Sequence, residues 1–168
     1  MNVSLRPYRP SDLESCRALW RELTQRHRDI YDDPTIGGSD SGGEFDLHLG
    51  RPQLAGVWVA EVNADIVGLS GLLVDGDGGE VDPMVVSAAY RSQGIGRQLL
   101  DHVVEEAKRR GVRLLSVRPV ARNIEAISFY FEAGFRLLGY LDMFVDLSEA
   151  SERDWKPGIT IHGNEFRY

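Results

Sequence analysis

Residues 88–100 read AAYRSQGIGRQLL, which sets Gly94 and Gly96 between Arg91 and Arg97 where an unpatterned stretch gives way to an apolar helical repeat. A helix N-terminus exposes unpaired backbone N–H groups and a partial positive charge, and glycines let an anion come close with no Cβ in the way. A phosphate group fits that chemistry, with Arg91 and Arg97 adding full charge beside it. The same glycine pair also suits a tight turn that binds nothing. Two phosphate-binding loops are excluded by spacing. A Walker A loop needs Lys and then Ser or Thr after its last glycine, whereas Gly96 is followed by Arg97 and Gln98. The dinucleotide fingerprint, counted from Gly94, requires a third glycine where Leu99 stands.

The turn lies between a strand and a helix. After the break DGDGG at residues 75–79, Glu80 to Val86 has a strand pattern, and Ile95, Leu99, Leu100, Val103, Val104 and Ala107 mark one face of a helix ending at Arg109-Arg110-Gly111. Upstream, Val3 to Tyr8 alternates as a short strand, Ser11 to Glu14 reads as a capping box, and Leu13, Cys16, Trp20 and Leu23 recur at helical spacing. On that stripe Cys16 is a small core residue rather than a nucleophile. Asp32 to Gly50 carries Pro34, Gly37, Gly38, Gly42 and Gly43 and reads as a loop with room for a helical turn at Phe45 to Leu49. Val57 to Val62 and Ile66 to Val74 read as a β-hairpin across Asn63-Ala64-Asp65. Downstream come a strand at Leu114 to Val120, a helix at Asn123 to Ala133 closed by Gly134, and a strand at Gly139 to Leu147. A polar linker, Ser148 to Gly158, then precedes a last pairing strand at Ile159 to Tyr168. This order implies a mixed sheet with helices on both faces, an α/β or α+β sandwich.

The 168 residues, 42% of them hydrophobic, suit one domain with a real core. The 26 acidic against 19 basic residues give a net charge of -7, which disfavours a nucleic-acid backbone as partner and favours a cationic substrate. A single cysteine allows no internal disulfide and fits a reducing compartment. With no apolar leader at the N-terminus and no run near the roughly 18 apolar residues of a membrane span, a cytoplasmic location is expected. His27, His48, His102 and His162 are scattered without ligand spacing, so no metal site is expected.

Arg91-Ser92-Gln93-Gly94-Ile95-Gly96 resembles the R/Q-x-x-G-x-G/A pyrophosphate loop of the GCN5-related N-acetyltransferases, the GNAT family. Asn123 to Tyr130 followed by Gly134-Phe135 is similar to that family's N-x-x-A-x-x-F/L-Y-x-x-x-G-F segment, and one helix and one strand separate the two motifs as they do in the family. The resemblance is specific from Glu80 to Phe135 and covers nearly the whole chain in element order. It implies a single acetyltransferase domain over residues 1–168, with a mixed, mostly antiparallel central sheet of about seven strands splayed between strands 4 and 5.

The resemblance further implies acetyl-coenzyme A as co-substrate, its pyrophosphate on the N–H groups of Ser92, Gln93, Gly94, Ile95, Gly96 and Arg97. Its pantetheine arm would pair with Met84-Val85-Val86 on a bulged strand, and Pro83 supports a bulge independently because proline removes a ladder hydrogen bond. The N–H of Met84 then becomes the candidate donor to the thioester oxygen. Asn123, Ile127 and Tyr130 lie on one helix face. By resemblance Asn123 bonds the pantetheine amides and Tyr130 protonates the departing thiolate. Tyr130 read without the motif is an amphipathic core aromatic. Strand alternation puts Glu80, Asp82 and Met84 on one face, and the resemblance makes Glu80 first, then Asp82, the candidate general base. Both carboxylates could instead only attract a cationic amine or cap the DGDGG turn. Transfer to a primary amine in a ternary complex is the leading reading. The alternatives are a non-catalytic acyl-CoA-sensing module and an acyltransferase with another acyl chain or acceptor. Acceptor candidates are Asp29, Tyr31, Asp32 and Asp33 in the 29–50 region, with Asp142 and Tyr168, and a homodimer is within what the family implies.

Overall fold

Alternating apolar residues pair early in the chain into one sheet. In the computed structural model, which describes residues 2–147 and 155–168, β1 (Ser4–Pro7), β2 (Leu54–Val62), β3 (Asp65–Asp75), β4 (Gly78–Val86) and β5 (Leu114–Ser116) lie side by side in that order. The first four form an antiparallel meander, and β5 runs parallel to β4. A parallel neighbour needs a crossover, supplied here by α3 (Ile95–Arg109); α1 (Leu13–Tyr31) and α2 (Glu44–Leu49) fill the long connection between β1 and β2. The hairpin turn between β2 and β3 is Asn63-Ala64, both with positive φ (52° and 71°), the mirror-image turn whose twist matches that of the strands.

Helices cover both faces of the sheet, as the element order requires. Cys16 and Leu19 of α1 and Phe45 of α2 pack on Val57, Val59, Leu69 and Val85. On the other face Ile95 and Leu99 of α3 pack on Ala60, Val62 and Val67. Cys16 is fully buried, and burial pushes its thiol up to about 12, so it stays protonated as a core residue. The cap of α1 differs from the expected Ser11 box. A 3-10 turn, Pro10–Asp12, precedes the helix, and the buried Asp12 carboxylate accepts the Arg9 N–H at 2.8 Å. Arg6 grips the same carboxylate at 2.7 and 2.9 Å, which holds Asp12 below the usual carboxylate range. Asp12 stands at the N-cap position of α1 with no side-chain bond to that helix, because its carboxylate is taken by Arg6 and the Arg9 N–H, partners that the local pattern does not reveal.

The chain divides into two units, Met1–Arg118, which carries this sheet, and Pro119–Tyr168. The second contains α4 (Ile124–Glu132) and an antiparallel pair, β6 (Pro157–Ile161) and β7 (Asn164–Arg167). The expected last strand is thus a hairpin, turned at His162 and Gly163 with φ of 50° and 81°. The strand expected at Gly139 to Leu147 is absent: those residues take no strand structure, and Leu137, Leu138 and Phe144 are exposed. Alternation marks a surface that could be half-buried, but only an edge to pair with makes a strand. Among the described residues the central sheet therefore has five strands rather than about seven, with two more in the β6–β7 pair. The expected linker from Ser148 lies in part, residues 148–154, outside the described residues.

Ala64 is exposed, and its Cβ makes the left-handed conformation cost ~1–2 kcal/mol, only part of which glycine's greater unfolded freedom offsets. Ala64→Gly is expected to raise stability by about 0.5–1 kcal/mol in urea unfolding. A loss of stability would contradict this account of the turn.

Candidate active site

In the register of β3 with β4, Ser70 faces Met84 and Leu72 faces Val81, so Asp82 and Pro83 together oppose Gly71 alone. This is a β-bulge at the proline, as Pro83 led one to expect. A bulge shifts the phase of the side chains that follow it. Cross-strand partners share a face, so Glu80 lies with Leu73 and Leu69 on the face covered by α1 and α2, whereas Met84 lies with Ser70 on the α3 face. Met84 packs there beside the cluster that holds Ile95. The shared face expected for Glu80, Asp82 and Met84 is thereby corrected: the two carboxylates stay together and the Met84 side chain points the other way. Asp82 accepts Arg51 Nη1 at 2.7 Å and lies 3.7 Å from His48 Nδ1, while Glu80 lies 3.6 Å from Arg118 Nε.

The backbone beyond the bulge is presented to the other edge. Ser87 N–H donates to Val67 O at 2.8 Å, while the Val86 carbonyl turns away from β3 to accept Arg91 Nε at 3.0 Å. Antiparallel alternation then directs the N–H and C=O of Met84 and Val86 away from β3, and those of Val85 towards it. β5 pairs only with Gly78, Gly79 and Glu80. Among the described residues no strand covers Val81 to Val86 on that side, so the sheet is splayed between β4 and β5 and offers a free strand edge.

The glycine turn follows directly. A 3-10 turn at Ala88–Tyr90 leads to Ser92 (φ 58°) and Gly94 (φ 80°), the N-cap of α3. The ladder of α3 opens with Gln98 N–H donating to Gly94 O at 3.1 Å, so the preceding N–H groups have no ladder partner. Left-handed residues interspersed among right-handed ones fold such N–H groups into a concave anion-binding nest at the positive end of the helix dipole. Nothing lies within 4 Å of where a Gly94 Cβ would sit, so the backbone angle, not space, requires glycine there. Ile95, 1% exposed, pins the turn to the core. Glu22 of α1 accepts Ser87 Oγ at 3.0 Å and Ala88 N–H at 2.9 Å, which fixes the chain entering the turn. Arg91 is committed to the Val86 carbonyl, and Arg97 pairs with Asp101 at 2.8 Å in exposed surroundings.

In the second unit the Asn123–Phe135 motif has a capping logic. Asn123 Oδ1 accepts the Ala126 N–H at 3.1 Å as N-cap of α4, leaving its amide N–H groups to other acceptors. At the other end Gly134 (φ 103°) donates to Phe131 O at 3.1 Å and Phe135 to Tyr130 O at 3.0 Å, a Schellman closure. Its accompanying contact is Tyr130 against Phe135, with ring centroids 5.8 Å apart. Ile127 and Tyr130, three residues apart within α4, lie on one helix face, while Asn123, expected on that face, stands at the N-cap with its side chain turned to the Ala126 N–H.

Sequence reasoning passed over His48 and Gly71. His48 is 3% exposed, lies against the rings of Trp20 and Phe45, and neither ring nitrogen has a hydrogen-bond partner. Burial holds its imidazole below the ordinary value, opposed by Asp82. A Cβ on Gly71 would stand 2.3 Å from the Asp82 carbonyl oxygen and 3.1 Å from His48 Nε2. No local spacing links these residues, which come from different elements. Among the described residues no three metal-binding side chains come together, and no helix is long and apolar enough to cross a membrane.

The fold as a whole is shared with solved acetyltransferases. The chain is similar to a GNAT-family acetyltransferase from Staphylococcus aureus, with TM-score 0.69 and 21% identity over 90% of this chain and 96% of that one. It is similar also to the PaiA N-acetyltransferase from Thermoplasma acidophilum, solved with coenzyme A, with TM-score 0.68 and 20% identity over 82% and 92% of the two chains. A ribosomal protein bS18-alanine N-acetyltransferase from Salmonella typhimurium is 27% identical over 119 residues, 70% of this chain and 72% of that protein. The Escherichia coli K12 enzyme of the same name is 40% identical over 52 residues, 31% of this chain, so the match spans about a third (35%) of that relative. Residues 14–135 match the model of the Acetyltransferase (GNAT) family, and the chain belongs to that family.

Because the Asp82 carbonyl is backbone and cannot swing aside, Gly71→Ala is expected to destabilise the protein by about 2 kcal/mol or more. Thermal unfolding with the parent alongside checks this. Parent-like stability would mean that the bulge yields without cost.

Proposed function

We propose that this chain is an acetyl-CoA-dependent N-acetyltransferase that transfers the acetyl group to a primary amine by direct attack in a ternary complex. The observation that carries the reading is the conjunction, in one unit, of the N–H nest from Ser92 to Arg97 with the free edge of Met84, Val85 and Val86. Acetyl-coenzyme A supplies both groups those features suit: a pyrophosphate for the nest and an amide-bearing arm for a strand edge. The Met84 N–H would then donate to the thioester oxygen as negative charge gathers on it. That role belongs to the backbone, so the turn of the Met84 side chain towards α3 does not oppose it.

In the transfer, the amine nitrogen bonds to the thioester carbon, the C–S bond breaks, and the nitrogen gives up a proton. An alkylamine of pKa about 10 is mostly protonated at neutral pH, so a base at the site aids the attack. Glu80, on the face opposite the Met84 side chain, is our first choice for that base and Asp82 the second. Tyr130 would protonate the thiolate and the Asn123 amide would bond the pantetheine; both assignments rest on the family motif, not on geometry. The acidic balance of the chain favours a cationic amine, and the named activities of the relatives, on a ribosomal protein's alanine, make a protein or peptide amine one candidate beside small molecules. Asp29, Tyr31, Asp32 and Asp33 remain acceptor candidates.

The ion pairs of Glu80 with Arg118 and Asp82 with Arg51 would equally suit a module that binds acyl-CoA without catalysis. Turnover separates the two. With acetyl-coenzyme A and a panel of amines, thiol release by the parent is expected; tight binding without release for any amine would favour the non-catalytic module. Gly96→Asp is expected to weaken acetyl-CoA binding in calorimetry at least tenfold by opposing the pyrophosphate with a carboxylate. Unchanged affinity would contradict the loop assignment.

Glu80→Gln and Tyr130→Phe are each expected to lower turnover by about 10²-fold or more while acetyl-CoA affinity holds. Glu80→Gln should also remove an ionisation from the acidic limb of the pH–rate profile. A parent-like profile in both variants would return the two residues to structural roles.

A further inference from the structure

We propose that His48 is a positioning residue for the acetyl transfer: together with Arg51 it fixes the Asp82 carboxylate at the bulge, on the face shared with Glu80. The inference rests on the acetyltransferase reading above. Three side chains are stacked in depth here. The His48 side chain is 2% exposed at the back, Asp82 is 35% exposed in front of it, and Arg51 is 46% exposed at the surface. Gly71 makes room for the arrangement, since a Cβ there would strike both the Asp82 carbonyl and His48 Nε2.

A buried imidazole with both nitrogens unpartnered is uncommon, because the neutral ring carries one donor and one acceptor that each lose water on burial. The polar side-chain atom it faces is Asp82 Oδ2, 3.7 Å from Nδ1, about half an ångström beyond hydrogen-bond length. Around the ring α1 contributes Trp20, α2 Phe45 and β3 Gly71; the charged groups acting on it are Asp82 and Arg51. In these surroundings His48 stays neutral near pH 7 and its Nδ1–H can hold one carboxylate oxygen beside Arg51. The other oxygen is left to meet the amine or a water next to Glu80. If the ring gains a proton at acid pH it forms an ion pair with Asp82, and the carboxylate is withdrawn from the reaction.

Two measurements test this, one needing no acceptor. The His48 imidazole is titrated by NMR in the parent, Asp82→Asn and Arg51→Gln. A neighbouring carboxylate favours the imidazolium and a neighbouring guanidinium opposes it, so the midpoint should fall in Asp82→Asn and rise in Arg51→Gln. An unmoved midpoint in Asp82→Asn would overturn the pairing. The second measurement is kcat/KM for the amine: His48→Leu is expected to lose about tenfold with acetyl-CoA affinity unchanged. His48→Asn, whose amide can donate where Nδ1–H does, should recover most of it and should lack the ionisation due to the imidazole.

Equal losses in Leu and Asn variants that unfold like the parent, with the parent pH profile kept, would make His48 a packing residue only. A parent that neither binds acetyl-coenzyme A nor releases thiol would overturn the acetyltransferase reading and the positioning role with it, while the titration would still report whether His48 and Asp82 form a pair.

Discussion

The opposition of Asp82 and Pro83 to the single residue Gly71 is the constraint on which the rest of the site depends. One extra residue in β4 reverses which side chains face which helix, and only glycine across from it leaves space for the displaced Asp82 carbonyl. Before the bulge, side chains such as Glu80 point to the α1 and α2 face. After it, the Met84 side chain joins the α3 core and its backbone N–H lies along the free edge. A regular β4 would have placed Met84 on the carboxylate face and crowded it. The bulge thus sets the two carboxylates on one face and the free backbone N–H groups of Met84 and Val86 in the plane of the sheet.

The second element is held by that first one. Val86 ends the bulged strand, its carbonyl takes Arg91, and the turn then reaches the N-cap Gly94. Ile95 in the α3 core and Glu22 reaching across from α1 clamp the turn on both sides. The nest is therefore preorganised. Its N–H groups need little further ordering to receive an anion, so the cost of immobilising a loop falls on folding rather than on binding.

What could be read from the sequence was what is local. The glycine turn was legible because a helix start and its backbone angles depend on neighbouring residues, and Cys16 because a helical stripe marks the core. The Asn123 to Phe135 motif is equally local, a capping asparagine and a Schellman glycine around one helix. Pro83 announced a bulge. Its consequence for Met84 escaped because strand alternation assumes an unbroken register, and only pairing with β3 shows which residues share a partner. The Asp12 carboxylate went to Arg6 of β1 instead of capping α1, and His48 met Asp82, through contacts between different elements. Gly139 to Leu147 failed as a strand for the same reason, since its composition describes a surface and not the neighbour that would pair with it.

The central claim is that one anion nest and one strand edge together receive acetyl-coenzyme A. Backbone amide resonances followed by NMR during titration with acetyl-coenzyme A test it directly. The account predicts the largest shifts at Ser92 to Arg97 and at Met84 and Val86, with 3′-phosphoadenosine 5′-diphosphate, which keeps the pyrophosphate and lacks the pantetheine arm, moving the first group and sparing the second. Shifts confined to other parts of the chain, or none at Met84 and Val86 with the full ligand, would contradict it.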